Sequence, residues 1–102
     1  MARFDVYRMT RRGVPLAVNV QSEFLSSLDN RVLIPFGTVE RFGPQAVERL
    51  NPVLTIGGGN YVLRTDEIAA VPTAAIGSFV ENIEATHRDD ITFALDFLFQ
   101  GF

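Results

Sequence analysis

The segment from His87 to Phe102 constrains the fold of this 102-residue chain more than any other stretch. At about 100° per residue, Ile91, Ala94, Leu95, Leu98 and Phe99 share one broad face of a helix, and Phe93 and Phe97 carry the apolar arc towards the far side. Only Thr92, Asp96 and Gln100, each four residues apart, leave a polar stripe. One sheet covers about half of such a helix. An exposed Phe93 or Phe97 forgoes roughly 2 kcal/mol of burial, so a second apolar surface is expected, most simply from a second copy of the chain. The ending Phe99-Gln100-Gly101-Phe102 sets an aromatic residue beyond a glycine, and an apolar terminus points to a dimer seam or a surface kept for a partner. Thr86-His87-Arg88-Asp89 reads as a capping box that starts a helix running from about His87 to Phe99, with Asp89 and Asp90 at the positive end of its dipole. In that context His87 beside two carboxylates is helix-start chemistry rather than a metal or acid–base site.

Ahead of the helix the pattern is one of short strands. Phe4, Val6 and Arg8 alternate with Asp5 and Tyr7, and Leu16 to Gln21 resumes the pattern after Thr10-Arg11-Arg12-Gly13-Val14-Pro15, so a hairpin is expected with Arg11 and Arg12 at a solvated tip. Ser26 to Asn30 reads as a polar linker. Arg31 to Phe36 reads as a buried strand that Pro35 either shortens or places at an edge. Gly37 to Asn51 is the least strand-like stretch, with a short helical turn expected over Pro44 to Leu50. Pro52 to Ile56 and Tyr61 to Arg64 flank Gly57-Gly58-Gly59-Asn60 as a second hairpin. That glycine run leads into a strand and not a helix, so it lacks the helix N-terminus on which a phosphate cradle depends. Ile68 to Gly77, small and apolar with Pro72 inside, reads as a further strand. No internal repeat appears.

Composition narrows the chemistry. Nine arginines, no lysine and twelve acidic residues give a net charge of −3, the wrong sign for a chain that binds nucleic acid by itself. Without lysine there is no Schiff base and no phosphate-loop ammonium. Without cysteine, and with one histidine, neither a thiolate nucleophile nor a transition-metal cluster can be assembled. No cofactor is implied. The longest uncharged stretches, Leu50 to Leu63 and Ile68 to Val80, are too short to span a bilayer. Asp5 and Arg8 interrupt any signal-peptide pattern, so a single cytoplasmic domain is expected, with no membrane partner.

The chain resembles the CcdB family of bacterial toxins. The resemblance is carried by Phe4-Asp5-Val6-Tyr7, Val18-Asn19-Val20-Gln21-Ser22, Arg31 to Pro35, Pro52-Val53, Ile56-Gly57, Val71-Pro72, Ile76-Gly77, His87-Arg88 and the final Phe99-Gln100-Gly101-Phe102. Their order and spacing cover nearly the whole chain, with Gly37 to Asn51 as the main gap. The resemblance implies a mainly β (α+β) fold: a small, partly open antiparallel β-barrel over about residues 3–77, a C-terminal helix over about 87–100, and a homodimer formed through that helix. It also implies a toxin of a type II toxin–antitoxin system, of the kind that serves plasmid maintenance, neutralised by a CcdA-like antitoxin. Such a toxin is not an enzyme: it binds the DNA gyrase A subunit and traps the gyrase-cleaved DNA complex. The gyrase-facing positions carry over onto Phe4, Tyr7, Ser22, Phe24, Asp96, Gln100, Gly101 and Phe102. Asp96 and Gln100 stand where the best-known member of the family has an asparagine and a tryptophan, which keeps open a CcdB-fold antitoxin-binding protein that has lost gyrase poisoning. The barrel that the family shares with MazF-type RNases keeps open a second alternative, a MazF-like ribonuclease toxin.

Overall fold

The computed structural model describes residues 1–102, and its seven strands follow from an alternation that puts one side chain in two under a single helix. In chain order they are β1 (Asp5–Met9), β2 (Leu16–Asn19), β3 (Asn30–Thr38), β4 (Val53–Ile56), β5 (Gly59–Leu63), β6 (Ala69–Pro72) and β7 (Ile76–Asn82). The helices are the one-turn α1 (Val39–Phe42) and the C-terminal α2 (Glu84–Gln100). All pairings are antiparallel, in the order β4-β5-β3-β2-β1-β7, with β6 on the free half of β3. The result is an antiparallel half-barrel closed by a C-terminal helix. Val6, Val18 and Ile34 stand opposite one another across three strands, and with Phe36, Leu54, Ile56 and Leu63 they make the inner face on which Ile83, Ile91 and Ala94 pack.

Pro35 neither shortens β3 nor lies at an edge. β3 is the longest strand and sits in the middle of the sheet. β6 pairs with Asn30 to Leu33 and β5 with Phe36 to Thr38, so the proline falls in the gap between them, where no partner strand needs its missing N–H. Its carbonyl still accepts from Arg64 N (2.9 Å). The second hairpin forms as expected. Gly57 and Gly58 both take positive φ (58° and 83°), the two-residue turn whose twist suits a hairpin and which glycine adopts without strain.

Three expectations are corrected. The helical turn lies at Val39–Phe42, where Thr38 Oγ1 accepts from Arg41 N, and Pro44 begins a 3-10 turn that ends at Gln45 instead of a helix to Leu50. Ile68 to Gly77 is not one strand: β6 ends at Pro72, Thr73–Ala75 forms a 3-10 turn, and β7 continues five residues past the expected barrel end to pair with β1. Helix α2 begins at Glu84, before the expected capping box. Ile83 is fully buried and ties the helix start to the core, Asn82 Oδ1 accepts from Glu84 N (3.0 Å), and Thr86 lies inside the first turn, where its hydroxyl donates to Ile83 O. His87 is then free to reach sideways. With Nδ1–H donating to Asp90 (2.9 Å), its Nε2 accepts from Thr55 N (3.3 Å) on the outer strand β4, satisfying an edge group that no strand pairs. Nearby, Gly57 N in the turn after β4 donates to Glu81 on β7 (2.8 Å), so one side chain from α2 and one from β7 hold the β4 edge of the half-barrel.

The helix face divides as its cross-section requires. Ile91 and Ala94 are fully buried and Leu95 packs beside them. Phe97 is half-covered by the Arg49 guanidinium, 4.9 Å from its ring centre. Phe93 and Phe99 are 63% and 72% exposed. Replacing Ile91 by Ala should cost about 2–5 kcal/mol through the cavity it leaves, whereas Asp96→Ala, at an exposed position, should stay within about 0.5 kcal/mol. Urea unfolding of the two variants measures the contrast.

Candidate functional site

The residues singled out by sequence fall into three places, and the first is the foot of α2. Ser22 and Phe24 lie on the ten-residue connection from β2 to β3, in and beside a 3-10 turn (Glu23–Leu25) that Ser22 caps by accepting from Phe24 N (3.2 Å). This turn leaves Phe24 96% exposed. A depression beside it is lined by Arg3, Phe4, Ser22, Phe24, Glu84 and Arg88. Phe4 itself belongs to the core. Its ring is buried, and its backbone, at φ 73°, is held by donation to Asn19 O (2.7 Å) and acceptance from Ile83 N (3.0 Å). A left-handed phenylalanine is strained and persists only where its surroundings over-determine it. Phe4 therefore supports this end of the molecule from beneath and offers a partner little surface.

The second place is the far end of α2, about 18 Å along the axis from Arg88 to Gln100 at ~1.5 Å per residue. Asp96 and Gln100 are exposed there, and Asp96 forms no ion pair. Gly101 takes φ 79° and its N–H donates to Phe97 O (2.9 Å), a left-handed cap that ends the helix and turns the tail aside. Phe102 lies 71% exposed next to Phe93, Asp96, Asp90 and Arg49. Within one chain the two ends stay apart.

Tyr7 is in the third place, the outer face of the sheet. Its ring meets Phe79 edge-on at 5.9 Å and its hydroxyl donates to Asp5 (3.1 Å). The Asp5 carboxylate also accepts from Ala2 N and Asn82 Nδ2, both at 2.8 Å. Two features here were not foreseen. One is a set of buried polar side chains, Asn19, Gln21 and Arg31 besides Asp5, whose positions in apolar-looking runs hid them. The other is a groove lined by Met9, Ala17, Leu33 and Val71, with Arg11 and the ion pair Arg64–Glu67 (3.3 Å) also lining it. Its signal in the sequence was the apolar outward-facing positions of β2 and β3. Arg11 lies in the loop between β1 and β2, and the placement of β6 sets it beside an apolar floor.

Burial pushes the Tyr7 phenol up to about 12, the nearby Asp5 carboxylate adds to the rise through its charge and its hydrogen bond, and Arg31 pulls the other way. The folded chain thus holds this proton more tightly than the unfolded chain, where a phenol titrates near ~10. The stability that follows is complete below pH ~10 and is lost as pH rises through about 12. The loss should amount to roughly 2–3 kcal/mol at most. Urea midpoints measured up to pH ~12 should fall for the wild type and fall less for Tyr7→Phe.

No helix is long and apolar enough to cross a membrane. Among solved structures the chain is similar to an endoribonuclease in complex with its cognate antitoxin from a mycobacterial species, with a TM-score of 0.76 and 16% identity over 94% of this chain and 91% of that one. At that identity the likeness shows the fold alone: a half-barrel with a C-terminal helix. Sequence decides the family. The CcdB protein family model matches residues 3–101, a span that takes in both ends of α2, the Phe24 connection and the outer groove, and so this chain belongs to the CcdB family.

Proposed function

We propose that this chain, a toxin of the toxin–antitoxin class by its family, binds the A subunit of DNA gyrase and holds the enzyme on cleaved DNA. The observation that carries the reading is the family match over residues 3–101. The carried-over residues Ser22, Phe24, Asp96, Gln100 and Phe102 are exposed, as a protein-binding surface requires, and the Gly101 cap presents the tail without a side chain between helix and partner. Phe4 is buried and supports the foot of α2, while Tyr7, buried on the outer face of the sheet, acts through its hydrogen bond to Asp5. The acidic balance of −3 fits a toxin that leaves DNA to its target and binds no nucleic acid by itself.

A homodimer belongs to the same reading. Phe93 and Phe99 stand out from α2 into solvent, and burying them against a second copy would give the helix the other apolar surface its cross-section lacks. The antitoxin fits the outer groove, where an apolar floor, with Arg11 outside any ion pair and Arg64 paired to Glu67 (3.3 Å) at its rim, suits an amphipathic segment with an acidic group opposite Arg11. A cytoplasmic site of action follows from the target.

The ribonuclease reading is favoured by one observation, the shared fold with an endoribonuclease. Against it, metal-free RNA cleavage needs an acid–base pair beside a basic groove, and the single histidine is tied to Asp90 and Thr55. The third reading, an antitoxin-binding protein without a gyrase target, rests on Asp96 and Gln100.

Light scattering at micromolar concentration should give a species of twice 11.3 kDa; a monomer alone overturns the dimer. Purified chain should stabilise gyrase-cleaved DNA and leave RNA intact, and deletion of Gly101-Phe102 should abolish growth inhibition. RNA cleavage without DNA breaks selects the ribonuclease. Neither activity selects the antitoxin-binding protein.

A further inference from the structure

The connection from β2 to β3 combines features that rarely go together. It runs over residues 20–29, far longer than the two to five residues that usually join antiparallel neighbours, and every residue from Ser22 to Asn30 is exposed. Its ends are tied, by Val20 N donating to Val32 O (3.0 Å) and Asp29 O accepting from Thr73 N (3.0 Å), but between them it makes no strand pairing, and its internal backbone bonds are those of short turns: Leu25 N to Ser22 O, Ser26 N to Glu23 O and Leu28 N to Leu25 O. Such a segment is expected to be mobile.

It is gripped instead by a buried charge. Arg31 is 8% exposed and forms no ion pair. Its Nη2 donates to Ser26 O (2.7 Å), its Nη1 donates to Leu28 O and to Asn30 O (2.9 Å), and its Nε has no partner. Gln21 adds a second grip, with Nε2 donating to Leu25 O (3.2 Å) and Asn30 O (3.3 Å) while Oε1 accepts from Val32 N (3.1 Å). Removing a guanidinium from water without a carboxylate partner is unfavourable, and packing alone does not call for it. Two of its three bonds go to carbonyls of this connection, those of Ser26 and Leu28, and the third to the first residue of β3; the connection carries the 96% exposed Phe24.

We propose that Arg31 is a positioning residue that fixes the β2–β3 connection in one conformation, so that Phe24 stands out as a preorganised aromatic anchor for an apolar pocket on a protein partner. This rests on the gyrase reading for the identity of that partner. Ordering the connection before binding removes a cost that binding would otherwise carry, and exposed aromatic anchors on rigid supports dominate many interfaces.

The test compares full-length wild type, Arg31→Met, Arg31→Lys, Phe24→Ala and the Arg31→Met/Phe24→Ala pair by amide hydrogen exchange and by affinity for the gyrase A subunit. In Arg31→Met the amides of Leu25, Ser26 and Leu28 should exchange at least about tenfold faster while those of β1 to β3 keep their rates, and affinity should fall about tenfold. Arg31→Lys should recover part of both, and adding Phe24→Ala to Arg31→Met should cost little beyond the larger single loss. If Arg31→Met does not fold, Arg31→Lys carries the same measurements. Unchanged exchange overturns the proposal, and so does faster exchange with unchanged affinity or with additive losses. Should the wild type not bind gyrase, that failure falls on the target, and the exchange result alone upholds or overturns the positioning role.

Discussion

The structure depends on the burial of Ile83, Ile91 and Ala94 against the concave face of a sheet that does not close on itself. All three are fully buried, and they meet Val6, Val18, Ile34 and Phe36 from three adjacent strands of the sheet. A half-barrel without a lid would expose that whole inner face to water. A helix amphipathic on one side alone would seal it and finish the molecule. Here the lid is apolar beyond the arc it buries, so the element that completes the monomer also leaves Phe93 and Phe99 in solvent.

The outer face of the sheet works by different physics. Asp5, Asn19, Gln21 and Arg31 are buried there, and nearly all of their polar atoms have partners: Asp5 accepts three hydrogen bonds, and Asn19 and Gln21 each both donate and accept. A satisfied network of this kind adds little net stability but makes the arrangement unique, because any alternative leaves a buried polar group without a partner. The network pins the N-terminal residues, the start of α2 and the β2–β3 connection to one another. Those are the segments that carry Phe4, Ser22 and Phe24, so the surface at the foot of the helix, proposed above for a partner, is only as ordered as the network beneath it.

The two ends of α2 set a geometric condition on function. Phe24 lies near the first turn and Gly101-Phe102 beyond the last, separated by most of the length of a 17-residue helix. A partner must either span the helix or meet the two ends from two copies of the chain. Opposite them, on the outer face, the arginine-rimmed groove is available to a different partner at the same time. Two partners bound at once on separate surfaces are thus compatible with this fold.

The sequence by itself determined the class of the fold, the second hairpin, the over-apolar helix and its polar stripe at Asp96 and Gln100, because these follow from local periodicity and from glycine's freedom in Gly57-Gly58. It also sufficed for the family, through short fragments in a fixed order. What it left open were matters of partnership between distant segments. Pro35 is compatible with a central strand only because β5 and β6 leave a gap on that side of β3. The capping box at Thr86 lost to Asn82 because burial of Ile83 starts the helix earlier. Phe4 and Phe24 are the same residue type near turns, yet one is in the core and the other in water. Arg31 reads as the polar end of an apolar strand until the connection before it folds back over its guanidinium. Side-chain burial depends on what the rest of the chain lays on top, and no local pattern encodes it; only the tertiary structure decided those cases.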